Sequence, residues 1–226
     1  MLFHIRRCFD CIFCGTRTYG GKRFAYSCGI CTECDENMER TPPGGTFAGS
    51  PDVSYIISPL FYTGRTRDAI MRFKFEGWEC CGNVFAYIMR QCAAQFPHLK
   101  DFGLVIPVPL SKARLNERGY NQSVPLAKAV ADEIGIKYDG KTLLKIRNTN
   151  RQSRLSQMER IENVSGAYKC TRVLDGERII LVDDIYTTGA TLNECARTLL
   201  DAGAKEIIGM TLSIRYKKEK NLFLRY

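Results

Sequence analysis

The sequence predicts an α/β fold: a mainly parallel sheet flanked by helices, with a small cysteine-rich module in front of it. Three observations predict it. From about Val53 onward, short apolar strand patterns alternate with helical stripes, the order that gives a parallel sheet with helices on both faces. One strand pattern, residues 179–182, runs into two acids and then a threonine- and glycine-rich turn. Six of the eleven cysteines fall between Cys8 and Cys34. The chain therefore divides into a cysteine-rich module over residues 1–40, a connector over 41–52 and an α/β domain over 53–226.

The elements follow in order. "TPPGGTFAGSP", residues 41–51, is rich in Pro, Gly and small residues and reads as a connector or loop. "VSYIISPLFY", residues 53–62, reads as a strand that Pro59 breaks or places at an edge. Residues 64–74 and 82–96 read as helices. "LVIPVPL", residues 104–110, is a short apolar strand, and "SKARLNERGYNQ" after it reads as a strongly polar loop. Val124, Ala127, Ala131 and Ile134 recur at spacings of three and four, an amphipathic helix that closes at Gly135. Residues 145–164 are polar and basic, and predict a long exposed, mobile segment. Leu192, Cys195, Ala196, Leu199 and Leu200 form a helix stripe that Gly203 stops. Residues 206–214 are a further strand.

A chain of 226 residues with 45% hydrophobic content has room for such a core. Its apolar runs are far shorter than the roughly 18 residues a membrane helix needs, and no transmembrane segment is expected. The opening residues carry positive charge but no apolar secretion segment, so a cytoplasmic location is expected. The formal net charge of +9 favours polyanions such as nucleic acid or phosphorylated metabolites. Basic residues thicken over 145–160 and again over 215–225.

"CFDCIFC" and "CGICTEC" place cysteines at 8, 11, 14 and at 28, 31, 34. Paired C-x-x-C units at this separation point to a structural Zn2+ site closed by four thiolates. Two registers share the spacing: Cys11, Cys14, Cys31 and Cys34, or Cys8, Cys11, Cys28 and Cys31. Gly15 after Cys14 suits the tight backbone of a knuckle and favours the first; the second stays open. Phe9, Phe13, Arg6, Arg7, Arg17, Tyr19, Lys22, Arg23 and Tyr26 interleave charge and rings here. They form either a base-stacking surface or the knuckle's own small core.

The stretch "IILVDDIYTTGATL" carries the chemistry. In an open α/β sheet, ligands bind at the carboxyl ends of strands, where Asp183 and Asp184 stand. Thr187, Thr188, Gly189, Ala190 and Thr191 then open a helix, whose first N–H groups are unpaired and partly positive. Acids for sugar hydroxyls, followed by a cradle for a phosphate, describe a ribose 5-phosphate site.

"VDDIYTTGAT" resembles the phosphoribosyl diphosphate (PRPP) motif of type I phosphoribosyltransferases. "RGYNQSVPLA", "RNTNRQSRLSQMERIENVSGAY" and that motif, behind an N-terminal cysteine module, together resemble the ComF family, phosphoribosyltransferase-like proteins associated with DNA uptake in natural competence. The similarity runs from Cys11 to Ile214 and includes "YTGRTRDAIMRFKFEG" and the first cysteine register. It implies a type I phosphoribosyltransferase-like fold. In it, Asp183 and Asp184 hold the ribose and Thr187, Thr188, Gly189, Ala190 and Thr191 hold the 5′-phosphate. It implies Mg2+ on the substrate's own oxygens. Lys112, Arg114 and Arg118 are then candidates for the pyrophosphate, and Arg147 and Arg154 for a lid. The expected function is handling of single-stranded DNA during transformation, with single-stranded DNA and a DNA-uptake helicase or other competence protein as partners. An active transferase of nucleotide or amine metabolism and a non-catalytic nucleic-acid-binding adaptor are the alternatives. No acceptor pocket is legible, and His4 and His98 lie away from every motif.

Overall fold

A computed structural model describes residues 10–16, 24–26, 29–42, 45–75, 80–149 and 157–215. Cys8, Cys28, Arg154 and most of the interleaved basic and aromatic residues of the module lie outside them.

The sheet has the order β3–β4–β11–β10–β6–β7. Its strands are β3 (Thr46–Ser50), β4 (Val53–Ile57), β6 (Leu104–Pro107), β7 (Lys137–Tyr138), β10 (Arg178–Tyr186) and β11 (Glu206–Ile214), with β5 (Leu60–Phe61) also pairing β11. All pairings are parallel except β3 with β4. The central strands are apolar on both faces, as strands covered by helices must be. Their side chains alternate between two cores. Ile180, Val182, Val105, Ile208 and Met210 face α2 (Gly64–Phe75), α3 (Cys80–Ala93) and α5 (Ser123–Ile134). Ile179, Leu181, Leu104, Ile106 and Ile207 face α7 (Ala190–Asp201). On that second face stand a ribbon of β8 (Leu143–Lys145) with β9 (Tyr168–Cys170) and the helix α6 (Gln157–Val164).

Outside the site, three segments differ from the sequence reading. β3 lies inside the segment read as a connector, because its small residues serve close backbone approach: a Cβ at Gly49 would run into the Val53 carbonyl. The polar stretch after β6 is a helix, α4 (Lys112–Arg118). The basic segment over 145–164 ends in α6 rather than staying irregular.

The cysteine module packs onto α2 and α3. It holds β1 (Phe24–Tyr26), β2 (Ile30–Cys31) and α1 (Thr32–Glu36). Ile12, Phe13 and Ile30 are buried in the same core as Phe73, Val84 and Phe85. Phe13 meets Phe85 edge to face, with ring centroids 6.1 Å apart, so it is a core residue and not a stacking platform. Arg72 of α2 donates to the Ile12 and Phe13 carbonyls at 2.6 and 3.0 Å. No helix among the described residues is long and apolar enough to cross a membrane.

Candidate functional site

The chain turns in opposite directions after β6 and β10. From β6 it passes through α5 to the edge strand β7; from β10 it passes through α7 to β11 on the other side. Such a switch point opens a crevice at the carboxyl ends of the two strands. Pairing of β10 with β6 stops at Val182 and Pro107, while β10 continues to Tyr186 against β11. Asp183 and Asp184 thus lie inside the long strand rather than past its end, but beyond its neighbour on the open side.

Alternation along the strand separates the two acids. Asp184 is buried on the α2 face, where Lys74 Nζ lies 2.8 Å from its Oδ1; the two side chains are 15% and 10% exposed. Asp183 is half-buried and lines a pocket with the first turn of α7. Its Oδ1 accepts from Ser123 Oγ at 3.0 Å and from the Asp184 N–H at 2.8 Å. Burial, and then the charge of Asp184, push the Asp183 carboxyl up to about 7, against the lowering effect of Lys74 and these two hydrogen bonds.

Gly189 sits at φ +78, and a Cβ there would lie 2.5 Å from the Tyr186 hydroxyl. The positive φ favours glycine, and a larger residue would also have to push the Tyr186 ring aside. Gly189 is the N-cap of α7 and, having no side chain, brings no capping hydrogen bond to the first turn. Thr187, Gly189, Ala190 and Thr191 line the pocket of about 20 Å³ with Asp183. Thr188 Oγ1 is enclosed and has no hydrogen-bond partner among the described residues. An enclosed hydroxyl without a partner is costly.

The predicted cations are placed unequally. Arg118 approaches the acids: burial lowers its pKa, and Asp184 and Asp183 act against that. Its guanidinium stacks 4.9 Å over the Phe75 ring and donates to Gln122 Oε1 at 2.9 Å. Arg114 is half-buried and Lys112 is exposed on the same helix. Arg147 donates to the Asn163 and Ser165 carbonyls at 3.2 and 2.6 Å, tying β8 to the end of α6.

Three residues at the crevice escaped the sequence reading: Lys74, Ser123 and Lys145. Lys145 stands 5.1 Å over the Tyr168 ring and donates to Thr149 Oγ1 at 2.9 Å. Burial, and next Arg114, bring its pKa down to about 8, while Cys195 and Asp183 oppose this. A lysine in a basic stretch carries no sequence sign that it will be enclosed.

At the N-terminus the sulfurs of Cys11, Cys14, Cys31 and Cys34 all lie within 4.8 Å of one another. Cys14 and Cys31 Sγ are 3.7 Å apart. Thiolates about 2.3 Å from a shared zinc stand roughly 3.8 Å apart in a tetrahedron, so the set fits a metal such as Zn2+. The Cys34 N–H reaches Cys31 Sγ at 3.4 Å and Arg65 reaches Cys34 Sγ at 3.3 Å, the outer contacts that orient metal-binding thiolates. At the acid pair one oxygen of each carboxylate is already engaged: Asp184 Oδ1 meets an ammonium and Asp183 Oδ1 accepts two hydrogen bonds. Mg2+ takes one or two protein carboxylates and fills its octahedral set with water and phosphate oxygens, so the pair would hold it mainly through a ligand's own oxygens.

The chain is similar in sequence to several known proteins. Residues 121–224 match the phosphoribosyl transferase domain family. The DNA utilization protein YhgH of Salmonella typhimurium is 35% identical over 178 residues, which cover 77% of this chain and 74% of that protein. Competence protein ComFC of Bacillus subtilis is 34% identical over 152 residues, 67% of this chain and 60% of that one. A solved hypoxanthine phosphoribosyltransferase from Staphylococcus aureus overlays 62% of this chain and 70% of its own, at 14% identity and a TM-score of 0.40. With a phosphoribosyl transferase domain behind a four-cysteine cluster, and with relatives of this similarity and coverage, the chain belongs to the ComF family.

Proposed function

We propose that the crevice binds PRPP or a related phosphoribosyl ligand, and that the protein acts in the handling of single-stranded DNA during DNA uptake. One observation carries the ligand reading. The acids of β10 lead into the start of α7 at φ-positive Gly189, an N-cap that brings no side-chain hydrogen bond, and the Thr188 hydroxyl just before it is enclosed without a partner among the described residues. Asp183 and Asp184 take the ribose hydroxyls; the N–H groups of Ala190 and Thr191, with the Thr187 and Thr188 hydroxyls, take the 5′-phosphate. Mg2+ rides on the diphosphate oxygens of the ligand, and Arg118 faces that charge, with Arg114 and Lys112 on the same helix. The DNA reading draws on the relatives named for competence and DNA utilization and on the net charge of +9.

Calorimetric titration of PRPP with Mg2+ tests the first part. Wild type binds, and Asp183→Asn and Asp184→Asn each weaken binding about tenfold or more, as loss of a charge-assisted hydrogen bond does. Wild type that does not bind overturns it. Single-stranded DNA affinity is measured against salt. A basic surface gives a log–log slope near −0.7 for each phosphate contact, and a flat response removes DNA from the reading.

A further inference from the structure

The Lys74–Asp184 pair is a built feature. Lys74 stands near the end of α2, and the residues before it are pinned. Arg72 grips the Ile12 and Phe13 carbonyls. Phe73 packs against Phe85 and Tyr120, with ring centroids 5.3 and 5.6 Å apart. The Tyr120 hydroxyl donates to the Phe73 carbonyl. An enclosed ion pair adds little net stability, because removing two charges from water offsets their attraction. Its placement at the crevice therefore calls for a role in binding.

The chemistry of a vicinal diol supplies that role. Each hydroxyl has one proton to donate and lone pairs to accept. A carboxylate takes the proton and an ammonium satisfies a lone pair. In metal-dependent sites a divalent cation does the ammonium's part; here an ammonium already stands 2.8 Å from Asp184 Oδ1. We propose that Lys74 is a ligand-binding residue that takes the place of a divalent ion at the acid pair, so that a ribose-type diol is held without a metal ion between protein and sugar. This rests on the reading that Asp183 and Asp184 hold a ribose.

Ribose 5-phosphate is the probe, because it lacks a diphosphate to carry Mg2+ of its own. The full chain is titrated in buffer cleared of divalent ions by resin rather than by a dissolved chelator, which would strip the cysteine cluster. Wild type binds equally well with and without Mg2+. Lys74→Met weakens binding about tenfold or more without Mg2+, the loss of one charge-assisted hydrogen bond. Added Mg2+ restores part of it, because the bared carboxylates now accept a divalent ion. Mn2+ broadening of ligand resonances then appears in Lys74→Met and not in wild type. Lys74→Arg keeps the cation and stays metal-independent, and it carries the test should the methionine variant fail to fold: strict Mg2+ dependence in Lys74→Arg overturns the proposal. So does wild-type binding that requires Mg2+, or Lys74→Met that binds like wild type. If wild type takes up neither ribose 5-phosphate nor PRPP, the ribose reading falls and this inference falls with it. If it takes up both and Lys74→Met is unchanged, only the role of Lys74 is lost.

Discussion

Asp183 keeps its proton far above the usual carboxylate range, at about 7 against an ordinary 3.8. Between those values the folded protein binds more protons than the unfolded chain, so stability falls as pH rises from about 4 to about 7. The penalty is fully present above that window, where ionised Asp183 stands beside Asp184. Asp183→Asn removes it. Thermal unfolding of the ligand-free protein across pH is expected to show variant and wild type diverging between about pH 4 and 7, the variant gaining with rising pH, and running parallel above. Parallel curves throughout would show that Asp183 titrates normally. The acids, the threonines and Gly189 were legible because they are consecutive. Lys74 and Ser123 were not, because only the fold brings α2 and the start of α5 to the end of β10.

Elements were legible where burial gives them a period. β11 spans Glu206–Ile214 as the apolar run predicts, and α7 follows its stripe. α4 escaped because it buries no side chain, so no stripe marks it. Its signals are at the ends: Ser111 accepts from the Arg114 N–H at 3.4 Å and Gly119 closes it at φ +81. β3 escaped because glycines chosen for close packing look like glycines of a loop. The stripe of α7 is interrupted by one buried acid, Glu194, which links elements rather than filling the core. Its Oε1 accepts the Gly166 N–H at 2.6 Å, and Arg197 donates to both of its oxygens at 3.2 and 2.7 Å. It thus clamps the turn between α6 and β9 onto α7. Glu194→Ala strands that N–H and is expected to cost about 1–3 kcal/mol, measured by urea unfolding. Glu194→Gln keeps an acceptor oxygen and is expected to cost less; equal losses would assign the effect to packing.

The molecule as a whole is joined through α2. One end of that helix meets the cysteine cluster: Arg65 donates to Cys34 Sγ at 3.3 Å and pairs with Glu33 at 3.2 Å. Its other end delivers Lys74 to Asp184. Between them Ala69, Ile70 and Phe73 are fully buried in a core that also contains Cys11, Ile12, Phe13, Ile30, Cys31 and Cys34. Composition marks residues 1–40 as a separate module, because clustered cysteines stand out and shared packing leaves no trace in a linear string. A structural zinc contributes its binding free energy to folding, on the order of 10 kcal/mol in small zinc modules. When a metal-held segment completes the core of its neighbour, that contribution is felt by the neighbour too. The wild type is therefore expected to carry one zinc per chain by mass spectrometry, and Cys31→Ser, which removes a buried thiol of the cluster, to lose it. The substitution should also lower the unfolding temperature of the entire chain in one cooperative transition, with weaker PRPP binding because Lys74 loses the support of its helix. A separate early transition that leaves the main one and the ligand affinity unchanged would mean that the module is an independent unit and that α2 carries nothing between the metal and the crevice.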